Sequence, residues 1–129
     1  MSESKKYCFP DEGKTIGVDF DGVLHDDDKG FHDGTVYGRP IEGARQGLEE
    51  LSSKYKVVVF TAKAKPDRPL IGGKTGEELI WEWLRSNEMD SYVAVVSSEK
   101  PRAVAFIDDK AIRFNSWAIT MEFLRKLRL

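Results

Sequence analysis

The chain has 129 residues, 40% hydrophobic and 33% charged, a soluble globular composition that excludes a disordered chain. The length suggests one domain able to bury about two-thirds of its unfolded surface. With 20 basic and 22 acidic residues the net charge is −2, so the strongly basic footprint of a general nucleic-acid binder is absent. Apolar runs such as Val57-Val58-Val59-Phe60 are far too short to span a membrane. Residues 1–6 are polar and lack the apolar core of a signal peptide, and the single cysteine, Cys8, excludes an internal disulfide. These features predict a cytoplasmic protein with no membrane partner.

Residues 1–13 read as a flexible polar tail and residues 14–129 as one domain. Thr15 to Phe20 reads as a short buried strand. The stretch 21–40 is rich in Gly, Asp and His; its turn-forming Gly22, Gly30, Gly34 and Gly38 predict a short flap over about 22–38, with room for a small hairpin. Ile41, Ala44, Leu48 and Leu51 recur at helical spacing and predict a helix over 41–54. A β-branched strand follows over 56–61, then a loop over 62–74 rich in Lys, Pro and Gly. Thr75 and Glu78 have the spacing of a capping box, opening a helix to about residue 88 that carries Leu79, Ile80, Trp83 and Leu84 on one face. Residues 92–96 and 103–107 read as two more strands, and Asn115 or Ser116 caps a last helix with Met121, Leu124 and Leu127 on one side. Strands alternating with helices predict an α/β domain, a parallel sheet with helices on both faces.

In such a sheet, functional groups collect just past the carboxyl ends of the strands. That rule selects Asp19 and Asp21 after the first strand, Thr61 after the second, Lys100 in the loop after the third, and Asp108 and Asp109 after the fourth. Clustered carboxylates repel one another unless a cation neutralises them. Hard oxygen ligands favour Mg²⁺, which also accepts phosphate oxygens and water, and a lysine and a hydroxyl beside it suit the remaining phosphate oxygens. The constellation therefore predicts a site for Mg²⁺ and phosphate.

Val18-Asp19-Phe20-Asp21-Gly22-Val23 resembles the first motif of the haloacid dehalogenase superfamily; Thr61, Lys100 and Ile107-Asp108-Asp109 resemble its second, third and fourth, in the family order. The residues around Lys100-Pro101 and Ala105 to Ala111 look like the small capless phosphatases of that superfamily. The resemblance implies a three-layer, Rossmann-like core with a central parallel sheet and no cap domain. It implies that Asp19 is a nucleophile forming an aspartyl-phosphate and that Asp21 is the general acid, then the general base. It further implies that Thr61 bonds the phosphoryl oxygens, with Ala62 beside it in the substrate site. Lys100 neutralises the nucleophile and the phosphoryl charge. Asp109, Asp19 and the Asp21 backbone carbonyl would ligate Mg²⁺, and Asp108 would act through water or orient Lys100.

Only 42 positions separate Asp19 from Thr61 and 39 separate Thr61 from Lys100, too few for an inserted domain. Capless relatives tend to act on macromolecules or to close the site by forming a homo-oligomer. The expected reaction is hydrolysis of a phosphate monoester: a nucleotide, a sugar phosphate or a polynucleotide end phosphate. The rivals are a phosphotransferase with the same intermediate and a non-catalytic phosphate-binding module. Asp21 and the missing cap disfavour a dehalogenase.

Other features read more plainly. Asp26-Asp27-Asp28 with His25 and His32 matches no metal-ligand spacing and is expected to be a solvated flap. Gly72-Gly73-Lys74-Thr75 lacks the earlier glycine of a P-loop and reads as a helix start, with Lys74 a lesser candidate for an anion. Lys63, Lys65, Arg68 and Lys74 form a basic stretch, read as a solvated loop ahead of the alternative of a substrate clamp, with Lys63 its candidate contact. Trp81, Trp83 and Trp117 are expected to be packing residues, and Cys8 is given no role.

Overall fold

Four short apolar runs make the sheet. They are β1 (Thr15–Asp19), β2 (Lys56–Phe60), β3 (Val95–Ser97) and β4 (Ala105–Ile107). All pairings are parallel, in the order β3-β2-β1-β4. The structure is a computed structural model that describes residues 12–127; Cys8 and nearly all of the expected tail lie outside them, and Glu12–Lys14 forms a single 3-10 turn. β1 occupies the centre, with Val18 level with Val59 on one side and Ile107 on the other. The carboxyl ends of three strands therefore come out together.

The order of strands explains where the helices lie. From β1 to β2 to β3 the chain steps in one direction, and right-handed crossovers then put both connecting helices on one face. These are α1 (Ala44–Ser52) and α2 (Gly76–Ser86). Leu48 of α1 and Ile80, Trp83 and Leu84 of α2 bury Ile16, Val18, Val57, Val59 and Val96, with Phe20, Leu24 and Met89 filling the layer between. The step from β3 to β4 crosses to the far side of β1, so the winding reverses between β1 and β4. Ligands of open α/β sheets bind at such a reversal.

The expectation of helices covering both faces is met only in part. The helix that remains is α3 (Trp117–Leu127), and Thr120 is its one buried residue. Met121 and Leu127, expected to face inward, are exposed, and Leu124 is half-buried. Trp117 is also not a packing residue: it is 70% exposed and meets Phe114 edge-to-face with centroids 5.5 Å apart. Trp83 is one, with its ring in the core and its Nε1 donating to the Gly38 carbonyl at 2.9 Å. Trp81 packs against the same core, half-buried.

Element boundaries shift for local reasons. Gly43, at φ 87°, cannot continue a helix, so α1 starts at Ala44 and not at residue 41. Asp90–Tyr92 coils into a 3-10 turn that tucks Met89 and Val93 inside, which delays β3 to Val95. The capping box of α2 is present as predicted: Thr75 Oγ1 accepts from the Glu78 N–H at 3.1 Å, and Glu78 Oε1 accepts from the Thr75 N–H at 3.0 Å. The flap is closed at its base by the Asp26 N–H to Arg39 and the Ile41 N–H to Leu24, at 2.9 and 2.8 Å. The expected hairpin is reduced there to one antiparallel bridge, His25 to Pro40. No described helix is long and apolar enough to cross a membrane.

Candidate active site

β1 ends at Asp19 and the chain turns at once. The Phe20 carbonyl accepts from the backbone of Val23, Leu24 and His25, while the Phe20 ring is fully buried and anchors the turn. Gly22 sits at φ 82°, and a Cβ there would collide with the Asp109 carboxylate. Glycine at this place therefore lets the end of β4 approach the end of β1. The result is a cluster: Asp19, Asp108 and Asp109 each place a carboxylate oxygen within 4.8 Å of the others.

This cluster is electrostatically strained. Burial pushes the Asp19 carboxyl up to about 6; the Phe20 N–H, donating to Oδ1 at 2.8 Å, opposes the rise, and the nearby Asp108 and Asp109 reinforce it. Three converging carboxylates suit a hard divalent ion with oxygen ligands, so the residues present fit Mg²⁺.

Asp21 lies two residues on and its carboxylate is outside that cluster. Its Oδ1 accepts from His25 Nδ1 and from Lys63 Nζ, both at 2.8 Å. Burial alone raises the Asp21 carboxyl, but these hydrogen bonds outweigh it and hold the group below the ordinary carboxylate range. His25 Nε2 accepts the Gly38 N–H at 2.8 Å, which places the ring hydrogen on Nδ1, facing Asp21.

Two solvated-loop expectations are corrected here. His25 and Lys63 are both fully buried. His25 stacks on Phe20 with centroids 5.1 Å apart and meets Trp83 and Tyr37 edge-on. Lys63 turns inward because Thr61 caps the 3-10 turn Ala62–Ala64, its Oγ1 accepting from the Lys63 N–H at 3.2 Å. The amine that was a candidate substrate contact is thus an internal partner of Asp21. His25, His32 and Asp26 to Asp28 form no metal-ligand cluster among the described residues.

The other predicted residues are placed as follows. Thr61 is buried at the end of β2 and donates its N–H to Ser97 at 2.9 Å. Lys100 is exposed and stands over the rings of Phe106 and Phe60, 4.4 and 5.6 Å from their centroids. Asp108 Oδ1 accepts from the Lys110 N–H at 2.9 Å. Lys74 pairs with Glu82 of α2, and the Gly72-Gly73 turn before it closes as an Ile71–Lys74 bridge. Arg68 donates Nη1 to the Lys63 carbonyl at 3.1 Å.

Asp19, Asp21, Thr61, Ala62, Lys100, Asp108 and Asp109 all line one cavity of about 510 Å³. Lys63 and Lys74 do not line it. Phe31 of the flap, Phe60, Ser98 and Lys110 do, and sequence reasoning passed over them. For Phe60 and Ser98 a signal existed, since each adjoins the carboxyl end of a strand; Phe31 carried none. Compared with family models, with curated proteins and with solved structures, the chain matches none of them.

Proposed function

We propose that the chain is a Mg²⁺-dependent phosphomonoester hydrolase of the haloacid dehalogenase type, capless and three-layered, working through an aspartyl-phosphate. The observation that carries the reading is the gathering of Asp19, Asp21, Thr61, Lys100, Asp108 and Asp109 around one cavity at the reversal point of the sheet. A phosphate monoester is an anion, and a site with this many carboxylates receives it only with positive charge added. Asp19, Asp109 and the Asp21 carbonyl would hold Mg²⁺, with Asp108 joining through water. The ion would offset the carboxylate charge and draw density from the phosphoryl oxygens.

Asp19 attacks phosphorus with one carboxylate oxygen, and the bond from phosphorus to the ester oxygen breaks. Asp21 gives its proton to that departing oxygen. It then takes a proton from the water that attacks the aspartyl-phosphate, which releases inorganic phosphate, frees the Asp19 carboxylate and returns Asp21 to its protonated form. The backbone N–H groups after Asp19, the Thr61 hydroxyl and the Lys100 ammonium bind the phosphoryl oxygens. Exposed residues on the wall, among them Lys100, Asp109 and Phe31, leave the site open to water, which favours hydrolysis over transfer to a second alcohol. The hydrogen bonds from His25 and Lys63 stabilise the anion of Asp21, the form that acts as base, and oppose the protonated form that the acid step needs. That suits the base step and makes protonation of poor leaving groups the slower half.

The test is phosphate release from p-nitrophenyl phosphate, nucleotides, sugar phosphates and a 3′-phosphorylated oligonucleotide, with Mg²⁺ and with chelator. Release that needs Mg²⁺ and disappears in Asp19→Asn supports the reading. Release that survives either change overturns it.

A further inference from the structure

The carboxylates, Thr61 and Lys100 account for the phosphate end of the cavity. Its volume of about 510 Å³ lies within the ~300–1,000 Å³ of small-molecule sites, well above what one phosphate group fills. The rest of the wall includes two aromatic rings, Phe31 from the flap and Phe60 from the end of β2. Phe31 is 47% exposed, yet it is held in place. The Arg68 guanidinium stands 4.6 Å from its ring centroid and Lys63 Nζ 5.7 Å. Arg68 is itself pinned by its bond to the Lys63 carbonyl. It also lies against Gly34, at φ 83°, where a Cβ would collide with the guanidinium. The ring is thus braced by cations, 47% of the residue stays exposed, and it still lines the open cavity. A fixed, half-bare aromatic ring beside a phosphate site is a platform for another flat ring.

We infer that Phe31 stacks on the leaving group and that the site takes phosphate esters whose alcohol carries a flat aromatic ring, a mononucleotide being the fitting case. Phe60 supplies a second aromatic surface on the wall. The inference rests on the hydrolase reading and goes further by naming the substrate class. Arg68 is a positioning residue, acting through Phe31.

The experiment compares adenosine 5′-monophosphate with ribose 5-phosphate, the same ester without its base. The ratio of their kcat/KM values is measured with Mg²⁺ for the parent, Phe31→Ala, Phe31→Tyr and Arg68→Ala. The parent is expected to favour the nucleotide. Phe31→Ala lowers the ratio about tenfold, mainly through KM, since stacking on one aromatic side chain contributes on that order. Phe31→Tyr keeps the ratio, and Arg68→Ala lowers it by less. A parent that treats both esters alike, or a ratio unmoved in Phe31→Ala, overturns the inference and leaves the hydrolase reading standing. If the parent releases phosphate from neither, nor from p-nitrophenyl phosphate or the 3′-phosphorylated oligonucleotide, the hydrolase reading fails. Calorimetric binding of the same two compounds then decides the platform: tighter binding of the nucleotide, abolished in Phe31→Ala, supports it, and equal or no binding overturns it.

Discussion

Asp19 and Asp21 are two residues apart, and their side chains meet opposite company. Asp19 faces Asp108 and Asp109 and is pushed up to about 6. Asp21 faces two buried donors, His25 and Lys63, and is held down. Burial raises both groups; what differs is the charge and hydrogen-bonding of the neighbours. Strand alternation would put residues 19 and 21 on one face; β1 ends at Asp19, and the turn closed on the Phe20 carbonyl sends the two carboxylates to different environments. One environment calls for a cation from outside and the other already contains one. That division suits a nucleophile that works beside a metal ion and a proton-transfer group that works beside protein donors.

The most damaging way to break the comparison is to remove the proton-transfer group. Asp21→Asn is expected to lower kcat by about 10²–10⁴-fold, the usual contribution of general acid–base catalysis. The loss is expected to be smallest for p-nitrophenyl phosphate, whose leaving group needs no proton. Equal losses across leaving groups would contradict the assigned role.

Next in size is the internal cation. Lys63→Met takes one partner from a pair in which the lysine is fully buried and Asp21 has 20% of its side chain exposed. Breaking a wholly buried pair costs roughly 3–5 kcal/mol, and the partial exposure of Asp21 reduces this to about 2 kcal/mol. The thermal midpoint is expected to fall by roughly 5–10 °C. A solvated Lys63, as the sequence suggests, would leave it unmoved.

A smaller effect has a defined sign. The Asp19 carboxyl in the folded chain lies at about 6, above its ordinary value of 3.8. The folded state therefore holds that proton more tightly, and the favourable contribution is present at low pH and lost as pH rises through 6. In chelator, Asp19→Asn is expected to raise the thermal midpoint by a few degrees at pH 8, on the order of 1 kcal/mol once discounted for the group's partial exposure. The gain should vanish below pH 4. Added Mg²⁺ should stabilise the parent more than the variant. A gain at pH 8 that persists undiminished below pH 4 would contradict the account. The smallest effect belongs to Lys74→Ala, which removes a half-exposed pair with Glu82. It should change stability by less than ~0.5 kcal/mol and phosphate release by less than about twofold.

The pattern of what was legible follows from how far each feature reaches. The strand ends at Asp19, Thr61 and Asp108, and the α2 cap at Thr75, depend on residues within a few positions, and the sequence displays them. The partners of Asp21 were hidden for two reasons. Lys63 lies 42 residues away and sits in a run of basic residues that resembles a solvated loop. His25 adjoins Asp26-Asp27-Asp28, which masks it in the same way. In both cases the fold turns a residue from a polar run inward to meet a carboxylate, and composition cannot register that turn. The exposure of α3 was illegible for a different reason. Its apolar positions run from Trp117 and Ile119 through Met121 to Leu127, which predicts burial, and periodicity does not say whether a surface is there to receive them.

The central claim is that Asp19 carries the phosphoryl group. The most direct measurement is mass analysis of protein quenched in acid during turnover of a phosphate ester with Mg²⁺. The account predicts one added phosphoryl group on the peptide containing Asp19, labile to hydroxylamine, enriched in Asp21→Asn and absent from Asp19→Asn. A phosphoryl group on another residue, or phosphate release by Asp19→Asn at the parent's rate, would contradict it.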